Sequence, residues 1–150
     1  MVDNVDRKER SRIMGLVRSS GNRSTEAVLV ELFRQGRVTG WRRRLDLPGR
    51  PDFAFRKSRL AVFVDGCFWH GCPKHLRLPA TNRRYWVQKI GRNAARDRTV
   101  RRTLIGRAWQ VVRIWEHDLV TLRGQRRTLL RIRRLLDSCP LSPMHLGFVA

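Results

Sequence analysis

PDFAFRKSRLAVFVDGCFWHGCPKH, residues 51–75, is the stretch on which the fold turns. Two β-favouring runs, PDFAF and LAVFV, flank a polar link at Arg56, Lys57 and Ser58, the pattern of a hairpin. The second run ends at Val64. Directly behind it stand Asp65, Cys67, Phe68, Trp69, His70, Cys72 and His75, so the strand delivers a crowd of titratable and metal-ligating side chains to one end of a sheet.

Working outward, STEAVLVELFRQG, residues 24–36, reads as a helix. Ser24 is placed to cap it, Glu26 sits in the first turn, Val28/Leu32 and Leu29/Phe33 share a face, and Gly36 ends it. Thr39 to Leu47 is expected to be extended or loop, and LPGRP is a turn. From Thr81 to Ile105, Trp86, Ile90, Ala94 and Leu104 in a polar background predict a long helix with Gly91 as a weak point. WQVVRIW, residues 109–115, predicts a third strand, with His117 just past its end. Leu129, Ile132, Leu135 and Leu136 predict a last helix stopped at Pro140. Upstream, residues 3–19 suit a short basic amphipathic helix carrying Ile13, Met14, Leu16 and Val17. The order is that of an α/β protein with a small mixed sheet flanked by helices.

The 150 residues suffice for one domain with a core and are too few for two. No apolar run approaches the roughly 20 residues of a membrane span, and the N-terminus lacks an apolar signal region, so no membrane partner and a cytoplasmic location are expected. Three cysteines in a reducing compartment point to metal before disulfide. The net charge of +21 is almost wholly arginine, whose planar fork suits phosphate. Arginine bias from a GC-rich genome is the plain alternative, but so large an imbalance repels itself unless phosphate relieves it. DNA or RNA is the expected partner.

Structural zinc takes four ligands, often two from one tight turn. Cys67, Cys72 and His75 supply three from one knuckle, and His117 is the leading fourth, because pairing of the strands would bring their ends together. Cys139 and His145 are its rivals. His70, between the cysteines, is left over for proton transfer, and a side chain titrating near neutrality is a natural general base. Phe68 and Trp69 are either core or stacking surfaces. Asp52 starts the first strand of the hairpin, beside Val64 and Asp65. A carboxylate there with a backbone carbonyl and a second acid suits Mg²⁺, with Glu26 holding a metal-bound water; the alternative is that Asp52 caps a turn.

The pair Asp52 and Asp65 resembles the opening of the restriction-endonuclease-like nuclease pattern, although Cys67 stands where that pattern has lysine. LPGRPDFAF, VFVDGCFWHGCPKH, PATNRRYWVQKIGRNAARD and WQVVRIWEHDL, in that order, resemble the very short patch repair (Vsr) family of DNA mismatch endonucleases over roughly residues 5 to 120. The resemblance implies a restriction-endonuclease-like core with a structural zinc knuckle, and an enzyme that nicks duplex DNA 5′ of the thymine in a G·T mismatch left by deamination of 5-methylcytosine. It implies Mg²⁺ on Asp52 and the Val64 carbonyl, with His70, Glu26 and Asp65 as catalytic groups, and Zn²⁺ on Cys67, Cys72, His75 and His117. Phe68, Trp69 and Trp86 match the family's aromatic wedge, and Lys89, Asn93 and Arg96 its further DNA contacts. The implied organisation is a DNA-clamping helix over residues 1–20, a nuclease domain over 21–139 and a tail over 140–150, in a monomer at the nucleoid served by a MutL-type partner. Two departures accompany it: some members carry histidine in place of Asp65, and many carry cysteine in place of His117. A restriction-type nuclease on matched DNA and a non-catalytic zinc module that binds nucleic acid are the competing expectations.

Overall fold

The computed structural model describes residues 25–138. Helix α1 spans Glu26–Gln35 and is followed by strands β1 (Trp41–Arg42), β2 (Phe53–Phe55) and β3 (Leu60–Asp65). Helix α2 (Arg83–Gly106), strand β4 (Gln110–Trp115), a 3-10 turn over Glu116–Leu119 and helix α3 (Leu122–Asp137) complete the order. The sheet runs β1-β2-β3-β4, antiparallel across the first two pairings and parallel at β3/β4. It is therefore a mixed α/β architecture with four strands and three helices. No helix among the described residues is long and apolar enough to cross a membrane.

Strand β3 reads as a continuous apolar run because both of its faces are covered. Leu60 and Val62 join Leu29, Phe33, Val112, Ile114 and Ile132 in the larger core, between the sheet and helices α1 and α3. Ala61 and Phe63 face the other way and meet Leu104, with Val100, Trp109 and Val111 packed around them under α2. The two-residue alternation of a strand then puts Asp65 on the α2 side with Phe63, and Arg113 on that side with Val111. The register pairs Phe63 with Arg113 and Asp65 with Trp115.

Helix α2 crosses between the parallel strands and carries one contact stripe, Trp86, Ile90, Asn93, Asp97, Val100 and Leu104, at alternating spacings of four and three. Its ends are apolar: Trp86 and Ile90 are buried near the knuckle, and Leu104 is buried on the sheet. Its middle is polar. Ala94, expected on the apolar face, is half-buried beside this stripe, and the helix passes through Gly91 without a break.

Residues 39–47 are extended or irregular, as expected: Trp41–Arg42 pairs antiparallel with β2, a strand too short to leave a periodic signal, and the rest is loop. Helix α1 has Thr25 at its N-cap with no side-chain capping bond. Ser24, the helix expected over 3–19, the tail, Cys139 and His145 lie outside the described residues.

Candidate active site and metal centre

A cleft of about 870 Å³ opens where β2 begins and β3 ends. Although the chain has only twelve acids, five of them, Glu26, Asp46, Asp52, Asp65 and Asp97, line this one cleft. The antiparallel register that pairs Phe53 with Val62 carries Asp52 to the end of β3, where the Val64 amide donates to its Oδ2 at 2.7 Å. Burial pushes the Asp52 carboxyl up to about 6; the Val64 bond opposes this, and the nearby charges of Glu26 and Asp65 add to it. Glu26 is buried and paired with Arg43.

On the other wall, His70 Nδ1 lies 2.6 Å from Asp97 Oδ2 and 3.8 Å from Asp65 Oδ1. An ionised carboxylate only accepts, so the short contact places a proton on Nδ1, and in the neutral imidazole the lone pair is then on Nε2. Arg113 knits these acids together. Its Nε and Nη2 both donate to Asp65, Nη2 at 2.6 Å from Oδ1, while Nη2 also lies 3.1 Å from Asp97 Oδ2. The guanidinium rests on the Phe63 ring, 5.1 Å from its centroid. Burial pulls the Arg113 pKa down, but the bonds and charges of Asp65 and Asp97 outweigh it and hold the group charged well above the pH range of the cell.

The parallel pairing of β3 with β4 brings His117 to the knuckle. One ligand atom from each of Cys67, Cys72, His75 and His117 falls within a sphere where all are within 4.8 Å of one another. His117 Nδ1 is 3.1 Å from Cys67 Sγ and 3.7 Å from Cys72 Sγ, and His75 Nδ1 is 3.7 Å from Cys72 Sγ. Bonds of about 2.0–2.3 Å at tetrahedral angles give ligand separations of roughly 3.3–3.8 Å, so this donor set fits zinc. Burial pushes the Cys67 thiol up to about 11, partly offset by a backbone bond at His117, and a metal ion there displaces that proton on binding. Glu116 accepts from the Cys67 amide at 2.9 Å and ties the knuckle to the end of β4. Gly71, with φ +68°, turns the chain between the cysteines, and a Cβ there would meet Ile90 of α2 at 3.0 Å.

Between the two sites, Phe68, Trp69 and Trp86 pack edge to face, with centroids 5.2–6.1 Å apart. Trp86 is buried, whereas Phe68 and Trp69 are half-exposed. Lys89 Nζ sits within 6 Å of the Trp69, Tyr85 and Trp86 rings. Asn93 donates to the Trp69 carbonyl at 2.9 Å, so its amide is spent on holding the loop. Arg96 lines the cleft.

Sequence reasoning missed Asp97, Arg113, Arg43 and Glu116. Asp97 had a readable signal, a polar interruption in the apolar stripe of α2. Arg113 had a weaker one, a charge within an otherwise apolar strand.

The model of the family described as DNA mismatch endonuclease Vsr matches residues 2–75. The type II nicking enzyme V.XorIIP of Xanthomonas oryzae pv. oryzae is 37% identical over 141 residues, 91% of this chain and 98% of the relative. The chain belongs to the Vsr family. A second relative, the type II nicking enzyme V.NaeI of Lentzea aerocolonigenes, is 43% identical over 117 residues, 73% of this chain and 68% of its own. The DNA mismatch endonuclease Vsr of Escherichia coli is 42% identical over 80 residues, 53% of this chain and 49% of the relative. The family-model match ends at His75, so α2, β4 and the turn after it, which contribute Asp97, Arg113 and His117, lie beyond it and within the longer match to V.XorIIP.

Proposed function

We propose that this Vsr-family DNA endonuclease nicks the thymine strand of duplex DNA 5′ of T in G·T mismatches that arise from 5-methylcytosine deamination. The observation that carries the reading is the cleft itself. Asp52 stands among acids on one wall, the His70–Asp97 pair on the other, and the Phe68–Trp69–Trp86 block beside them. A non-catalytic zinc module would leave that arrangement without a task.

In this reading the scaffold is a restriction-endonuclease-like core. Residues 1–20 form a clamp on the duplex, 21–139 the nuclease domain and 140–150 a tail, in a monomer that a MutL-type protein stimulates. Asp52 and the Val64 carbonyl hold Mg²⁺, which when bound neutralises charge developing on the scissile phosphate. Asp97 fixes the tautomer of His70, whose Nε2 takes the proton of the attacking water, and Glu26 orders water in the cleft. Cys67, Cys72, His75 and His117 hold Zn²⁺ and so fix the loop that carries both base and wedge. A mismatched step unstacks at lower energy than a paired one, so aromatic insertion converts weak pairing into selectivity.

A second reading is a restriction-type nuclease acting on matched DNA; the relatives V.NaeI and V.XorIIP are named type II nicking enzymes, a description that specifies nicking and not the state of the site. Duplexes carrying G·T, G·U or G·C at one position, in varied flanks and with each strand end-labelled separately, discriminate between them in the presence of Mg²⁺. A nick confined to the thymine strand of the G·T duplex is expected. Equal cutting of G·C duplexes would establish the second reading, and binding without scission would sink both.

A further inference from the structure

Strand β4 lies at one end of the sheet order, and among the described residues it pairs with β3 alone. Successive residues of a paired strand turn their backbone groups alternately toward the partner and away from it. The Gln110 amide donates to the Arg59 carbonyl at 2.7 Å, so Gln110 and Val112 face β3, and Val111 and Arg113 turn amide and carbonyl to the open edge. From that side Arg131 of α3 donates to the Arg113 carbonyl at 3.4 Å. Between the edge and α3 runs a groove of about 560 Å³ that shares no lining residue with the cleft around Asp52. Val112, Leu130 and Leu135 give it an apolar lining, and five exposed arginines, Arg123, Arg126, Arg127, Arg131 and Arg134, rim it. Among the described residues, Arg127 alone of the five meets an acid, Asp118 at 2.8 Å. We propose that this groove binds an extended acidic segment of a partner protein, which joins the sheet beside β4 as a fifth strand.

Each part of the groove selects a different property of that segment. Guanidinium groups gathered around one groove repel one another unless an anion joins them, and carboxylates accept from their forks. Among the described residues the outward amide and carbonyl of Val111 have no strand partner, and an extended backbone supplies both an acceptor and a donor, the mode by which peptides add to sheet edges. Leu130 is 45% exposed, so an apolar side chain of the segment gains burial against it. A DNA backbone meets the first of these demands and neither of the others: its phosphates carry no donor for the Val111 carbonyl and no apolar group for Leu130. A second copy of this chain, at a net charge of +21, is repelled by the same arginines that draw an acidic strand. Charged side chains along an edge also keep like chains from pairing there, but that task leaves the apolar lining unused.

The probe is a fluorescein-labelled peptide of about ten residues alternating Glu and Val, added to the full-length protein. Saturable one-to-one binding is expected by fluorescence anisotropy, with slowed hydrogen exchange at the Val111 amide in the bound state. The combined substitutions Arg123→Gln, Arg126→Gln and Arg134→Gln should weaken the peptide about tenfold or more, and Leu130→Ser about threefold or more. The same loss of charge on α2, by Arg98→Gln, Arg101→Gln and Arg102→Gln, should change affinity less than about twofold. The peptide N-methylated at every residue keeps its charge and loses its donors, and should bind about tenfold more weakly or worse. Equal binding of the methylated peptide, or unchanged exchange at Val111, would overturn strand addition. Equal losses from the α2 and α3 substitutions would show that net charge alone attracts the peptide. If the α3 substitutions weaken a matched DNA duplex as much as the peptide, and the duplex displaces the peptide, the arginines are a phosphate-binding surface and the proposal falls.

Discussion

Asp52 is held in a place that suits its ionised form badly. Its carboxyl titrates at about 6, against 3.8 for an unperturbed side chain, so folding favours the protonated acid. Above pH 6 the group is ionised in both folded and unfolded chains, and the misfit costs about 3 kcal/mol by linkage. As pH falls from 6 to 3.8 the folded protein takes up the proton first and the cost fades; below 3.8 both states are protonated and it is gone. Asp52→Asn, neutral throughout and still able to accept from the Val64 amide, should therefore be more stable than the wild type at pH 7.5 in metal-free buffer, by up to about 3 kcal/mol. That advantage should vanish by about pH 4. Denaturant unfolding of the two proteins across this range checks it, and a difference that does not change with pH would refute the burial argument. The same substitution is expected to abolish cleavage, so stability and activity conflict at this one residue. For Asp97, which in the proposed mechanism orients His70, Asp97→Asn is expected to lower the single-turnover cleavage rate by about 10²–10⁴-fold without weakening DNA binding. A loss under threefold would show that His70 needs no such partner.

The elements differ in how plainly the sequence announced them. Strand β3 was legible because a run buried on both faces must be apolar, and β4 because Val111, Val112, Ile114 and Trp115 outweigh its two polar residues; their parallel pairing makes His117 the natural companion of the knuckle. Strand β1 was not, because two residues carry no period. The contact stripe of α2 was half legible: Trp86, Ile90 and Leu104 stand out, whereas Asn93 and Asp97 look like solvent-facing polar residues until their spacing is set beside the apolar ones. Arg113 was illegible as a partner of Asp65, since the two stand 48 positions apart in the chain and meet only when β3 and β4 pair. The knuckle has few apolar contacts of its own beyond Cys67, Cys72 and the neighbouring aromatic block, so metal is expected to supply much of its order. Ligand binding of roughly 10 kcal/mol or more in small zinc knuckles is folding free energy. Chelation of zinc should therefore abolish hydrogen-exchange protection over residues 64–80 while the amides of β2 and the first half of β3 stay protected by the core. Retained protection in the knuckle after verified zinc loss would show that packing against Trp86 and Ile90 suffices.

At the scale of the whole molecule, charge and shape divide the labour of recognition. The net charge of +21 is distributed along the chain, while five of the twelve acids are concentrated in the cleft. The protein as a whole therefore attracts the phosphate backbone, while in the cleft five arginines, Arg43, Arg44, Arg50, Arg96 and Arg113, stand beside the five acids and bring the local charge close to balance. Arginine contacts to phosphate carry no sequence information and release counterions, so affinity should fall steeply with salt. With six or more such contacts, raising salt from 50 to 200 mM lowers affinity by about 10³-fold or more. The aromatic block discriminates by unstacking, a contribution that does not release counterions. The ratio of affinities for G·T and G·C duplexes is accordingly expected to stay constant across this range while both affinities fall together. Fluorescence anisotropy at four or five salt concentrations, in Ca²⁺ to prevent cleavage, gives both slopes. Parallel lines support a division between electrostatic capture and aromatic reading; a steeper slope for the mismatched duplex would mean that recognition adds phosphate contacts, and that the arginines help to choose the site as well as to hold the DNA.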